Sequence, residues 1–453
     1  MTISLPGVRA AAVGFAIVLI GVARADSWPQ LRGSRGAGQG EGKGYPLTWS
    51  ETENVVWKTS IPGRGWSSPV VHKGQVWLTT AMEVPCTPEQ EKERLKANTS
   101  DQQLTLLAEV RLRTVGLDAA TGKLLHDVEL FQEKDPQWVH RQNTYASPTP
   151  VIEDGRVYAH FGTFGTACVD TATGNVLWKN TTVRLMHENG PGSSPILWRD
   201  KLIFHADGSD TQRLVALDKA SGKVAWQTNR SGKMPDNGQY KKSYATPLVI
   251  ERDGHPVLMS NGADWLYGYD PETGRERWRR NYGTQGFSLS ALPIEGNGLI
   301  YYSTGFMKPV LHAVRCGHSG EPEVAWTCPR SVPTIPSPVL AGGDLFFVAD
   351  SNICSSLNAT TGVENYRERL GGDFNASPVF ADGRIYVSNR EGTTFVLAAG
   401  PAFKKLAENK LPGQQWASIA AVDGAFFLRS DTALYRLQQK QDGAGDQPSR
   451  MPR

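Results

Sequence analysis

Side chains able to do chemistry are concentrated in three stretches of the 453-residue chain. Residues 132–143 hold His140, Arg141 and Asn143, residues 182–192 hold His187 and Glu188, and residues 229–242 hold Lys233, Asp236, Lys241 and Lys242. Long loops on a rigid scaffold are where function tends to sit, so these stretches are the candidate site. Asp207 and Asp210 are expected to face the same rim, yet neither they nor the histidines stand at a metal-ligand spacing, so no metal site is assigned. Gly-x-Ser-x-Gly, His-Glu-x-x-His and a Gly-rich phosphate loop are absent, which removes the usual hydrolase and nucleotide routes; no catalytic residue is assigned. A second group is aromatic. Just ahead of eight Ser-Pro-like steps stand Trp66, Tyr145, Gly192, Tyr244, Leu289, Ile335, Asn375 and Trp416, of which four are rings suited to a planar ligand or a sugar.

What positions these groups is a repeat. Ser68-Pro69-Val70, Ser147-Pro148, Ser194-Pro195-Ile196, Thr246-Pro247-Leu248, Leu292-Pro293, Ser337-Pro338-Val339, Ser377-Pro378-Val379 and Ser418-Ile419 recur along the chain. Apart from one wider gap their spacing is that of a four-stranded propeller blade. Asp154-Gly155, Asp382-Gly383 and Asp423-Gly424 between apolar runs mark the first hairpin of a blade. A second motif, Asp-x-x-Thr/Ser-Gly followed by Trp, runs from Asp170 to Trp178, Asp218 to Trp226 and Asp270 to Trp278, with degenerate copies ending at His126, Trp326 and Tyr366. Its Asp and hydroxyl cap the turn, its Gly takes the left-handed conformation, and its Trp wedges against the next blade. Trp57, Trp178, Trp226, Trp278 and Trp326 are therefore read as structural staples.

The last copy lacks a fourth strand, while 54–60 carries a fourth-strand Trp before any first strand. Pairing the two closes a ring of eight blades and hides both edges. The expected fold is all-β, an eight-bladed propeller of four-stranded antiparallel blades spanning 54–438, after an extension at 26–53 and before a disordered tail at 439–453. Residues 1–25 read as a signal peptide, with Arg9 before an apolar run and Ala23-Arg24-Ala25 at the cleavage site, so the chain is expected to be periplasmic or secreted. A net charge of +3 with both signs dispersed excludes a nucleic-acid stripe. No membrane span is expected after cleavage, and the protein is expected to be a monomer. Five cysteines, an odd number with none adjacent, leave at least one free; Cys316 and Cys328 flank one hairpin and are the candidate pair.

The copies from Asp170 to Trp178, Asp218 to Trp226 and Asp270 to Trp278 resemble the pyrroloquinoline-quinone-like repeat, over nearly the whole mature chain. Quinoprotein alcohol dehydrogenases and BamB-like envelope scaffolds carry it on eight blades, and Ser27-Trp28-Pro29-Gln30-Leu31-Arg32-Gly33 resembles the start of planctomycete-type exported repeat proteins. The first resemblance implies pyrroloquinoline quinone with calcium, the quinone stacked on a disulfide of adjacent cysteines, and this chain has no such pair. The second implies a lipidated cysteine where Asp26 stands. Of the two, a non-catalytic binding or scaffold role is expected, with no cofactor, and the quinone enzyme is the alternative. The ligand or partner, an envelope protein or a carbohydrate-like molecule, would meet the face of long loops through Trp66, His140, Arg141, Asn143, Tyr145, His187, Glu188, Asp207, Lys241, Tyr244 and Trp416. Trp138 and Trp265 are further aromatics expected there. The insertion at about 82–109 is expected to leave from the same face and carry a short helix near 88–97 as a lid.

Overall fold

The computed structural model describes residues 27–98 and 102–440; the expected leader and the tail beyond residue 440 lie outside them. Eight four-stranded antiparallel sheets follow one another along the chain, each ordered from an inner first strand to an outer fourth strand. Blade 3 is typical: Ile196–Trp198, Lys201–Asp207, Gln212–Asp218 and Val224–Asn229 are joined by tight turns. The second and third strands are almost wholly buried, because both their faces pack on neighbouring blades. Blade 8 closes as the sequence implies: Val55–Ser60 pairs antiparallel with Ala433–Gln438, from Val55 opposite Leu437 to Ser60 opposite Ala433.

The turns follow their chemistry. Asp382-Gly383 and Asp423-Gly424 both take positive φ at the two central positions, the type I′ geometry that matches strand twist. In the second motif the Asp118, Asp170 and Asp218 carboxylates each accept the N–H and hydroxyl of the Thr or Ser three residues on. The indole N–H of Trp57, Trp178, Trp226 and Trp326 donates to the carbonyl after that Asp or Asn in the next blade, on Ala119, Lys219, Pro271 and Ala359. Trp278 is buried without such a partner, since blade 5 has Cys316-Gly317-His318 in place of the motif.

The Ser-Pro steps turn out to be a belt around the channel. The backbone N–H of each motif residue donates to the hydroxyl of its counterpart in the next blade: Ser68 to Thr149, Thr149 to Ser194, Ser194 to Thr246, Leu292 to Ser337, Ser337 to Ser377, Ser377 to Ser418 and Ser418 to Ser68, all 2.8–3.0 Å. The one step outside this pattern ends on Leu292, which has no hydroxyl. This belt corrects the register in blade 2. There the motif is Thr149-Pro150-Val151, and Ser147-Pro148 is a second Pro step just upstream.

Residues 27–40, assigned no role from sequence, form a strap across the channel at the end of the first hairpins. Trp28 exchanges both backbone hydrogen bonds with Val71 of blade 1, the Pro29 carbonyl accepts from Ile152 of blade 2, and Gln39–Gly40 adds a parallel strand to Val379–Ala381 of blade 7. Arg32 points into the channel, 2% exposed, and donates to the carbonyls of Pro338 at 2.6 Å and Pro378 at 3.0 Å. With no carboxylate on it, burial pushes its guanidinium down to about 9.

Two further expectations are corrected. In blade 1 the strands continue through the supposed insertion, pairing as far as Pro85 opposite Leu107 with one bulge between Val84 and Pro85. The helix is present at Pro88–Leu95, capped by Thr87 and Gln90, but buries none of its residues and tops a projecting arm. Cys328 pairs across from Leu311, five positions from Cys316 and so about 17 Å along the strand. That is beyond disulfide reach, and all five cysteines are free.

Candidate functional site

Two residues above the hydroxyl belt, each blade presents one residue to the channel mouth. These are Trp66, Ser147, Gly192, Tyr244, Ser290, Ile335, Asn375 and Trp416, and all eight line a cavity of about 680 Å³ open on the long-loop face. Leu31 of the strap lies at its base. Compared with the series read from sequence, blade 2 contributes Ser147 in place of Tyr145, and blade 5 Ser290 in place of Leu289. In blade 2 the tandem Pro steps cause the slip; in blade 5 Ser290 is the residue three before Pro293, the spacing of the other blades, and Leu289 is one position too early. Tyr145 is fully buried in the core between blades 1 and 2, its hydroxyl donating to Gln137 O. Leu289 is likewise core.

Trp66 and Trp416 do meet across the closure, but they stack on each other, with ring centroids 5.0 Å apart and 10° between planes. No planar ligand fits between rings so close. Their outer faces carry Arg64 at 5.4 Å and Arg390 at 5.1 Å. What the pair offers is an edge and a wall, not a platform.

The long loops deliver their polar groups unevenly. His140 reaches the cavity wall, held in a two-residue strand against Leu104–Thr105 of the blade 1 insertion. Burial and the nearby Lys242 ammonium push its imidazole down, so it is neutral there. Arg141, exposed, turns to a neighbouring groove. Asn143 lines the cavity but is committed: its amide donates to Asn189 O and Pro191 O, and its oxygen accepts from Thr144 N–H and the Ser147 hydroxyl. Tyr244 lines the wall with its hydroxyl donating to His187 O.

Three expected site residues lie elsewhere. His187 is buried beneath the wall, Nε2 accepting the Thr163 N–H at 2.8 Å and Nδ1 unpartnered; burial pushes it down to about 4. It holds the 182–192 loop down and does not reach the mouth. Asp207 is 2% exposed and bound by both arms of Arg230, at 2.6 and 3.2 Å, in a closed network with Ser260 and His205. Arg230 keeps that carboxylate paired, and it is closed to metal and ligand. In the 229–242 loop a short 3-10 turn at Gly238–Tyr240 leaves Lys241 aside and turns Lys242 inward, where its buried ammonium binds Glu188 at 2.7 Å and Gln239 at 2.6 Å. Trp265 packs under Arg279, with its indole on Lys233 O, and Trp138 is not among the cavity residues.

Sequence reasoning missed the carboxylates on the opposite wall, Asp350 and Asp373. Asp350 accepts from Thr334 N–H and hydroxyl and from Ile335 N–H; Asp373 is bound by Arg390. Burial holds the Asp350 carboxyl above the usual carboxylate range despite these donors, while Arg390 neutralises Asp373. It also missed the hairpin of Gly286–Phe287 with Phe306–Met307, which sets an aromatic rim of Tyr240, Phe287 and Phe306 on blades 4 and 5. Among the described residues no group of three His, Cys, Asp or Glu is placed to hold a metal ion.

The eight-bladed geometry has matching relatives. A family model described as outer membrane protein assembly factor BamB matches residues 40–228 and 262–400, well over half the chain. The chain belongs to the BamB family. As structures, BamB from Moraxella catarrhalis aligns with a TM-score of 0.52 at 15% identity, over 75% of this chain and 98% of that one. A europium-containing methanol dehydrogenase aligns with a TM-score of 0.60 at 10% identity, over 90% of each chain. At such identities they share the fold alone. Among curated proteins, the quinohemoprotein alcohol dehydrogenase of Comamonas testosteroni is 29% identical over 147 residues, 29% of this chain and 19% of that one. The tetrathionate hydrolase of Acidithiobacillus ferrooxidans is 21% identical over 292 residues, 60% and 53%. This BamB-family chain thus spans about a fifth of the first relative's length and about half of the second's. No helix among its described residues is long and apolar enough to cross a membrane.

Proposed function

We propose that this protein is an exported, non-catalytic binding propeller of the cell envelope that works through its long-loop face. The observation that carries the reading is the cavity itself, based on the strap and walled on blades 2 to 5 by hydroxyls, carboxamides and a neutral imidazole. Such a wall suits a polyhydroxylated ligand, carbohydrate-like in chemistry, with aromatic edges to cover its apolar faces. Membership of a family described by outer membrane protein assembly supports an envelope setting and a protein partner on the same rim.

A quinone enzyme is the reading that the dehydrogenase relatives suggest, and the residues do not fit it. The quinone needs a flat slot, and the two Trp rings at the mouth close on each other. The five cysteines are separate and free, so no adjacent pair forms a floor. No step is derived through that cofactor. The mature chain incubated with pyrroloquinoline quinone and calcium is expected to show no retained chromophore, and a stoichiometric one would overturn this assignment.

The binding role is tested by calorimetric titration with neutral hexasaccharides. Binding is expected for the parent protein and its loss for Asn375→Trp, which fills the mouth, at unchanged melting temperature. No binding of any hexasaccharide, or equal binding by the filled variant, overturns the cavity as the site.

A further inference from the structure

Beside the cavity, over the seam between blades 8 and 1, lies a second open groove of about 650 Å³. The two share one wall, formed by Trp66, Trp416, Gln142 and Arg390. The groove's chemistry is different. Three guanidiniums, Arg64, Arg141 and Arg390, surround the edges of the Trp pair, with the neutral side chains of Gln103, Thr105 and Gln414 and the single carboxylate of Asp431 between them. Since the rings leave no room between them, Arg64 and Arg390 lie on their outer faces, giving a four-layer stack of cation, indole, indole and cation. Stacking holds a guanidinium flat and aimed, so less side-chain freedom is lost when it binds.

The charges of this seam do not cancel. Arg390 is paired with Asp373, and Arg64 has Glu83 at 3.8 Å and donates to the Arg141 carbonyl at 3.0 Å. Asp431 accepts the Gln414 N–H and keeps its negative charge at the groove edge. Arg141 is exposed and makes a single long side-chain hydrogen bond, 3.4 Å to the Gln103 amide oxygen. Beneath the Trp pair, Arg429 is 2% exposed and donates only to Ser67 O, the Ser67 hydroxyl and Thr79 O, with Nε unpartnered. Arg141 and Arg429 therefore have no carboxylate on them among the described residues. Against Glu83, Asp373 and Asp431, the guanidiniums of Arg64, Arg141, Arg390 and buried Arg429 leave one positive charge in excess among the described residues, and the exposed donors are forks that match a carboxylate's two oxygens.

We propose that this groove is a carboxylate subsite for an acidic polysaccharide, whose neighbouring sugar sits in the cavity across the Trp66–Trp416 wall. This rests on the carbohydrate reading of the cavity. A uronic acid chain has the required combination, hydroxyls at every residue for the carboxamide wall and a planar carboxylate at each step for the arginines. An acidic peptide shares the charge but lacks the hydroxyls, so the neutral wall favours the sugar.

The test titrates the mature protein with hexagalacturonate, its fully methyl-esterified form and hexaglutamate, at low and moderate salt. The acid hexamer is expected to bind at least tenfold more tightly than the ester at low salt and to lose most of that advantage at moderate salt. Arg141→Gln and Arg64→Gln are expected to weaken the acid hexamer three- to tenfold and leave the ester unchanged. Arg141 is exposed, so its variant keeps the parent melting temperature and decides the matter if Arg64→Gln proves unstable. Equal affinity for acid and ester overturns the subsite and leaves the cavity reading standing. Failure of both to bind overturns the two together. Hexaglutamate binding as tightly as hexagalacturonate overturns the sugar assignment in favour of an acidic peptide.

Discussion

Two rings encircle the channel two residues apart, and they differ in kind. The lower ring is Ser68, Thr149, Ser194, Thr246, Leu292, Ser337, Ser377 and Ser418, hydroxyl residues at every position but one, and each step except that from Thr246 to Leu292 is bonded to the next blade. The upper ring is Trp66, Ser147, Gly192, Tyr244, Ser290, Ile335, Asn375 and Trp416, with a different surface in almost every blade. Repetition marks what every blade must do alike, which is to join its neighbour. Departure from repetition, at a position equally close to the axis, marks what a single ligand or partner reads. The same contrast separates the Trp staples from the Trp66–Trp416 pair: one residue type, one role dictated by the repeat and the other by where the ring happens to close.

That division can be broken by experiment. The largest effect is expected at a staple. Trp226→Ala removes a ring wedged on Gly274 and its bond to Pro271 O, and should cost about 3 kcal/mol in chemical denaturation. A loss no larger than that of a surface substitution would deny the staple role. Next is acid. His187 stays neutral in the fold down to about pH 4 while the unfolded side chain protonates near 6.5, so its contribution is complete above 6.5 and lost as pH falls towards 4. The groups facing it are His160, pushed down to about 3 by burial, and Asp210, whose charge pulls the other way. The loss is on the order of 2–3 kcal/mol from His187. Urea midpoints at pH 7, 5.5 and 4.5 should fall steeply for the parent and less steeply for His187→Gln; identical slopes would show that this imidazole does not protonate on unfolding.

A smaller effect is expected in the lower ring. Thr149→Val keeps the shape but removes the hydroxyl that accepts from Ser68, at about 1–2 kcal/mol. The smallest belongs to the upper ring. Asn375→Ala should move the denaturation midpoint by less than about 0.5 kcal/mol, since its side chain lines the cavity without a recorded hydrogen bond, while weakening whatever the cavity holds. If Asn375→Ala destabilised as much as Thr149→Val, the distinction between the rings would fail.

Much of this was legible before any coordinates. Period-two alternation, Asp-Gly turns and the Asp-x-x-Thr-Gly motif are local signals, and each dictates a strand, a hairpin or a cap within ten residues. Ring closure was legible because a fourth-strand Trp57 without a blade and a blade without a fourth strand have one mutual solution. The site was less so. His140 and Tyr244 were placed at the cavity wall by the repeat, but the tandem Ser147-Pro148-Thr149-Pro150 moved blade 2 out of register and selected Tyr145. Lys241 and Lys242 are adjacent, and the 3-10 turn before them decides which one turns inward. Asp207 looked like a rim carboxylate because nothing near it in sequence shows that Arg230 closes over it.

By itself, then, the sequence determined the architecture, since a repeated pattern must be satisfied the same way in every blade. Tertiary structure alone decided how the axis is used. Arg32 finds its carbonyls at Pro338 and Pro378 across more than three hundred residues, and Trp66 and Trp416, neighbours through the ring closure, stack on each other instead of opening a platform. Contacts made once, between distant segments, leave no period to read, and they decide where the channel is sealed and what chemistry its open end presents.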